Sequence, residues 1–162
     1  MTRAKGASVG PGAAGQGGGE RHRAREAALQ MLYQWEVGRV PPEEAIARHW
    51  EIEQDEPAIE GASRRFAEDL VEGTITHMPA IDARIEAQAQ HWRLERMAVI
   101  DRLILRMAVY EFLFRPDTPR TVVIDEAIEL ARTFSEQDAV RFVNGVLDGI
   151  HHAVAEGGPT DA

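Results

Sequence analysis

Apolar side chains recur at steps of three and four from residue 24 to residue 150, with polar positions between them, which is the signature of amphipathic helices. Ala24, Ala27, Ala28, Met31, Leu32 and Trp35 mark a first helix that Gly38 stops. Pro41-Pro42-Glu43-Glu44 opens a second helix carrying Ile46 and Trp50, and the acidic stretch 51–60, with Pro57, reads as a loop. A third helix is predicted from about Ala62 to Met78, with Phe66, Leu70 and Val71 inward, until Pro79 interrupts it. The fourth follows at about 80–91 through Ile81, Ile85 and Ala89. In the fifth, Met97, Ile100, Ile104, Leu105, Ala108 and Phe112 cover one side, with Leu103, Met107 and Tyr110 beside it. A helix apolar on more than one face belongs at the centre of a bundle.

Arg115-Pro116-Asp117-Thr118-Pro119 breaks the pattern, and a sixth helix covers about 121–134 through Val123, Ala127, Ile128 and Ala131. Ser135-Glu136-Gln137-Asp138 has the Ser-x-x-acid form of a helix start, and the seventh helix carries Phe142, Val143, Val146, Leu147 and Ile150. Asn144-Gly145 would suit a hairpin turn, but the helical spacing runs through it. Val122-Val123-Ile124 is the only strand-like run and is too short to seed a sheet. The expected fold is all-α, one bundle of about seven helices over residues 20–154.

Residues 1–19 contain seven glycines, and Met1, Val9 and Pro11 are their only apolar side chains larger than alanine. Such a segment cannot offset its ordering entropy, so a disordered tail is expected there and a flexible one at 155–162. The 162 residues suit one domain, which removes about two-thirds of the unfolded surface from water. No stretch approaches the roughly 20 apolar residues of a membrane span, and the N-terminus lacks the apolar core of a secretory signal. Cysteine is absent, which removes disulfides and thiolate chemistry, and the expected location is the cytoplasm.

The formal charge of -9 is unevenly spread. Residues 1–39 carry six bases and three acids, and the remainder carries 12 bases and 24 acids. A mostly anionic body repels polyanions at long range, so a nucleic-acid partner would need a local basic patch. Arg21-His22-Arg23-Ala24-Arg25 is the only dense one, and its plainer reading is a solvated helix end.

Reactive chemistry is not visible. Bundles hold metal through inward Glu and Glu-x-x-His pairs, but no histidine lies three residues after Glu126 or Glu129. Acids at a helix start follow from the helix dipole alone. His151-His152 has no third ligand nearby, and none of Ser8, Ser63 and Ser135 sits in a nucleophile-elbow pattern. No catalytic residue, metal site or cofactor is expected, and an enzyme is not.

Three segments together resemble the transcription antitermination factor NusB family. They are Arg21-His22-Arg23-Ala24-Arg25-Glu26-Ala27-Ala28 running into Leu32-Tyr33; Ile100-Asp101-Arg102-Leu103-Ile104-Leu105-Arg106-Met107-Ala108-Val109-Tyr110-Glu111; and Val123-Ile124-Asp125-Glu126-Ala127-Ile128-Glu129-Leu130-Ala131 continuing to Phe142-Val143-Asn144-Gly145-Val146-Leu147-Asp148. Their order and spacing match across about 21–151. The resemblance implies a seven-helix fold. It also implies binding to single-stranded boxA RNA of ribosomal RNA leaders together with ribosomal protein NusE, in a complex that joins RNA polymerase and suppresses termination.

On that footing Arg21 and Arg25, four apart, share one face of the first helix and Arg23 projects elsewhere. Their guanidinium forks, aided by the amide-rich helix start, are expected to hold phosphates where the first and last helices meet. His22 stands where family members often carry arginine, which removes a permanent charge from the patch. Unpaired bases need flat surfaces and hydrogen-bonding edges. Phe134 and Phe142, flanked by Arg132 and Arg141, are the candidates for stacking, and Asp138 and Asn144 for base edges. Both phenylalanines read equally as core, and Asp138 as a first-turn acid. Tyr33, with Asp101 and Arg102 on the outer side of the fifth helix, matches the NusE-facing region; the plainer reading of that charged pair is a solvated stripe. The rival functional readings are a homodimeric helical scaffold that binds no RNA and the RNA-binding module of a ribosomal RNA methyltransferase.

Overall fold

The computed structural model describes residues 12–53 and 57–156, and within them the chain forms seven α-helices and no strand. They are α1 (Gly12–Glu36), α2 (Pro42–Ile52), α3 (Gly61–Thr76), α4 (Met78–Gln88), α5 (Val99–Phe114), α6 (Arg120–Phe134) and α7 (Gln137–Ala155), with a single 3-10 turn at Leu94–Arg96 before α5.

The most apolar helix is indeed the axis. Every residue of α5 from Arg102 to Phe112 is buried. It packs against α1 and α3, against α4, and against α6 and α7, while α1 also lies on α2 and α3 and α6 lies on α7. Leu32, Leu70, Ile81, Ile85, Leu103, Ile104, Leu105, Val143 and Leu147 have no exposed surface, and together they draw on every helix but α2 and α6. Burying one such side chain stabilises the fold by about 1.5–3 kcal/mol relative to leaving it in water.

Several boundaries differ from those the pattern predicts. α1 begins at Gly12, so residues 12–19 belong to a helix where a disordered tail was expected; extending a helix already held by packing avoids the cost of nucleation. The remaining expected tail segments, 1–11 and 157–162, lie outside the described residues. The break between α3 and α4 falls at His77 rather than Met78, because Pro79 sits in the first turn of α4, where its missing N–H costs nothing. Ser135 does not cap α7. Its hydroxyl donates to Asp101 Oδ1 at 2.7 Å, and the N-cap residue, Glu136, makes no side-chain cap bond. Just past the end of α1, position 38 takes glycine for a steric reason: a Cβ there would stand 2.7 Å from the Gln34 carbonyl oxygen.

Close packing of α3 on α5 rests on Gly73, where a Cβ would overlap the Tyr110 ring at 2.1 Å. Tyr110 is buried there, and its hydroxyl donates to the Asp69 carboxylate at 3.1 Å. Arg115 Nη1 donates to the same carboxylate at 2.8 Å. The Tyr110 ring stacks on Phe114, which stacks in turn on His77 with centroids 4.0 Å apart. Burial, followed by the charge of Asp69, pushes the Tyr110 phenol up to about 12 from its ordinary 10.0. The folded protein therefore keeps a proton that the unfolded chain releases near pH 10. Its contribution is complete below pH 10 and is lost as pH rises toward about 12. Urea unfolding across this range should show stability falling with pH in the wild type and a shallower fall in Tyr110→Phe; identical slopes would contradict the burial of an ionisable phenol.

Candidate RNA and partner surfaces

The N-terminal arginine run folds against α3, α5 and α6. Arg21 lays its guanidinium over the Phe66 ring at 4.0 Å, and Arg25 lies 5.1 Å from the same ring, so the two do share a face. Arg23 projects away from them and donates to the Pro57 carbonyl oxygen. His22 bridges two carboxylates, with Nδ1 at 2.7 Å from Glu126 Oε1 and Nε2 at 3.1 Å from Glu26 Oε2.

Arg25 corrects the expectation most sharply. It is 3% exposed and grips Glu111 of α5 bidentately, Nε to Oε2 and Nη2 to Oε1, both at 2.8 Å, with Glu126 at 3.8 Å from Nη1. A guanidinium so engaged is not available to a phosphate, because releasing it would strand Glu111 in the core. Nor do the first and last helices form the expected junction. The main partners of α1 are α2, α3 and α5, those of α7 are α4, α5 and α6, and the start of α1 adjoins α6 through the His22–Glu126 contact.

The α7 candidates come together only in part. Asp138, Arg141 and Phe142 are neighbours at helical steps of three and four, whereas Asn144, two residues past Phe142, projects to the other side of the helix; all but Phe142 are exposed, and Phe142 is half-buried. Phe142 and Asp138 line an open groove of about 310 Å³ with Trp92, Arg96, Met97, Ala98, Asp101, Glu136 and Ala139. Arg132, on α6, is exposed and paired with Glu129 at 2.7 Å, a surface contact worth little and easily exchanged for a phosphate.

A second concavity, of about 320 Å³, is lined by Leu29, Gln30, Tyr33, Gln34, Ile100 and Phe134. Phe134 is thus placed with Tyr33, a partner candidate, whereas Asp101, the other partner candidate, lines the Phe142 groove. Two residues have exchanged surfaces relative to expectation, because α6 ends against α1 and α5 rather than alongside Phe142. Asp101 spans the boundary through its bond from Ser135, one residue past Phe134.

Arg102 is the second correction. It is not on an outer face but buried, donating from Nη1 to the carbonyls of Leu94 and Met97 and from Nη2 to Glu36 at 3.1 Å. It ties the 3-10 turn and the end of α1 to α5, a structural task that leaves it little to offer a partner. Among the described residues no cluster of side chains could hold a metal ion, and no helix is long and apolar enough to cross a membrane.

Two surface concavities on a rigid helical bundle, one aromatic and charged, the other aromatic and largely apolar, define an all-α binding protein. The model of the NusB family matches residues 22–152, and on that match the chain belongs to the NusB family. It is 46% identical over 136 residues to the transcription antitermination protein NusB of Solibacter usitatus, covering 84% of this chain and 91% of that protein. It is 42% identical to the protein of that name from Geobacter sulfurreducens, covering 86% and 99%. Among solved structures, NusB of T. maritima is similar with a TM-score of 0.73 and 34% identity, over 82% of this chain and 90% of that one. A crystal structure of antitermination factors NusB and NusE in complex with dsRNA is similar with a TM-score of 0.73 and 28% identity, over 83% and 97%.

The reassignment of Arg25 has a direct consequence. Arg25→Ala should lower stability by about 3–5 kcal/mol, read as a fall in the urea midpoint, because Glu111 is left buried and unpaired. Arg25→Met combined with Glu111→Leu should recover most of the loss. An unchanged midpoint in Arg25→Ala would return this residue to the nucleic-acid surface.

Proposed function

We propose that this protein is a non-enzymatic RNA-binding adaptor of transcription antitermination in the cytoplasm. It holds boxA RNA of ribosomal RNA leader transcripts together with NusE, and so helps RNA polymerase resist termination. The observation that carries this reading is the pair of concavities on either side of the Asp101–Ser135 bond, one built on Phe142 and one on Tyr33. An adaptor needs two adjoining surfaces of different chemistry, and these differ in that way. The family relationship and the similar NusB–NusE–RNA complex support the assignment of partners.

In this reading Phe142 offers a ring to an unpaired base, Asn144 offers an amide that both donates and accepts, and Arg141 and Arg132 hold phosphates. Arg21, His22 and Arg23, half-buried, have a minor part in this reading, because their polar atoms already have carboxylate, carbonyl or aromatic partners. Tyr33 and Phe134 supply the apolar part of the NusE contact, where aromatic anchors contribute most. Asp101 lies where the two ligands would adjoin, so that each would strengthen the binding of the other.

Titrating boxA RNA and a scrambled control, each with and without NusE, tests the adaptor directly. Expected is a preference for boxA that is strongest in the ternary mixture. The log–log salt slope should be near -2, as about three phosphates at about -0.7 each require. Equal affinity for both RNAs in every mixture would refute the reading.

A further inference from the structure

The chain leaves α1 through a Schellman-type turn, in which the Val40 N–H donates to the Gln34 carbonyl oxygen at 3.4 Å. The left-handed position of such a turn is normally glycine, but here it is Arg39, with φ at 57°. Gly38, one residue earlier, does not take that position, and Arg39 is the only non-glycine residue with a positive φ among the described residues. Backbone strain of this kind costs stability that glycine would save, and it gathers at ligand clamps.

Nothing inside the molecule uses the Arg39 side chain. Three acids lie within five residues of it, and it pairs with none. Glu36 is engaged by Arg102 at 3.1 Å and Arg106 at 3.9 Å, and Glu44 by Arg48. Arg39 is exposed and forms no ion pair or hydrogen bond with any described residue. It lines an open groove of about 410 Å³ with Trp35, Glu36, Val40 and Pro41. Trp35 is half-buried, and its indole N–H has no acceptor among the described residues. The polar groups left over at this groove are thus both donors, which suits a carboxylate.

This groove continues the Tyr33 concavity. Gln34 lines the one and, through its carbonyl, closes the turn that shapes the other. Tyr33 and Val37, one helical turn apart, are 39% and 47% exposed, so an apolar stripe leads from Tyr33 toward Arg39. A polyanion is disfavoured here, because Glu36, Glu43 and Glu44 would oppose its successive phosphates, whereas a single protein carboxylate needs only one cation.

We propose that Arg39, with Trp35, is the ion-pairing end of the protein-partner surface and takes an Asp or Glu side chain of the protein that sits on Tyr33. The assignment rests on the reading above in which that partner is NusE, and it adds a charged specificity residue to an otherwise apolar contact.

Calorimetric titration of NusE into the full-length chain tests this. Arg39→Gln should weaken NusE binding about 10- to 100-fold, the range for losing a hydrogen bond between charged groups, and Arg39→Glu should weaken it further. Added salt should weaken the wild type more than Arg39→Gln, since only the wild type has the ion pair to screen. Arg39→Gly should bind as poorly as Arg39→Gln yet unfold at a higher urea concentration, because glycine removes the left-handed strain. Affinity for boxA RNA without NusE should be the same in the wild type and all three variants. Wild-type NusE affinity in Arg39→Gln overturns the proposal; a urea midpoint lowered in that variant at the same time would make the residue only a cap for the α1 dipole. Weakened RNA binding without NusE, with NusE binding retained, assigns the groove to RNA and overturns it too. A wild type that binds no NusE refutes the partner reading itself, and the role of Arg39 with it.

Discussion

A carboxylate in the middle of the most apolar helix has to be neutralised where it lies, and most of this architecture follows from how that is done. Glu111 is met by Arg25 across the α1–α5 contact with two bonds of 2.8 Å. The same helix buries two arginines, and each finds a carboxylate on a neighbour: Arg106 on Asp82 of α4, and Arg102 on Glu36 at the end of α1. The net stabilisation from such pairs is small, because desolvation offsets attraction, but any packing that separates them leaves a bare charge in the core. The pairs therefore penalise alternative registers of α1 and α4 on α5. Helices that apolar contacts alone would let slide are held in one arrangement.

That solution takes the densest run of positive charge out of circulation. With Arg25 inside, His22 between two glutamates and Arg21 on Phe66, the N-terminal corner presents far less cationic surface than its composition suggests. Exposed guanidinium groups lie at Arg39, Arg48, Arg64, Arg65, Arg93, Arg96, Arg132 and Arg141, and of these Arg96 lines the groove that holds Trp92 and Phe142. Because α5 is packed all round, the start of this helix is also the place where the two concavities approach each other. Asp101 on one side and Ile100 on the other are consecutive residues facing different grooves.

The helices were legible in the sequence because burial against a central rod imposes the three-and-four spacing directly. The central position of α5 could be read from Leu103, Met107 and Tyr110 beside the main stripe. The 3-10 turn was not legible: Leu94 and Met97 lie three apart, as they would in an α-helix too. Arg25 was misassigned because spacing shows that it shares a face with Arg21 but not how deep that face lies. The signal that would have placed it was in view at the other end of the contact, since Glu111 within an apolar helix demands a buried cation. Arg102 carries the same lesson in reverse. Trp92 was missed because it sits in an aperiodic segment, where neither helical face nor motif draws notice, and the exchange between Phe134 and Asp101 depends on tertiary placement that no local pattern encodes.

The central claim is that the arginines of the first helix hold the fold while the surface between the fourth and seventh helices meets RNA. Following side-chain N–H resonances of the isotopically labelled protein with NusE during addition of boxA RNA tests it most directly. Expected are large shifts of the Trp92 indole Nε1–H and the Asn144 amide, with the Arg25 Nε–H unmoved and protected from exchange by Glu111. Large movement and exposure of the Arg25 resonance, with Trp92 and Asn144 unaffected, would contradict it.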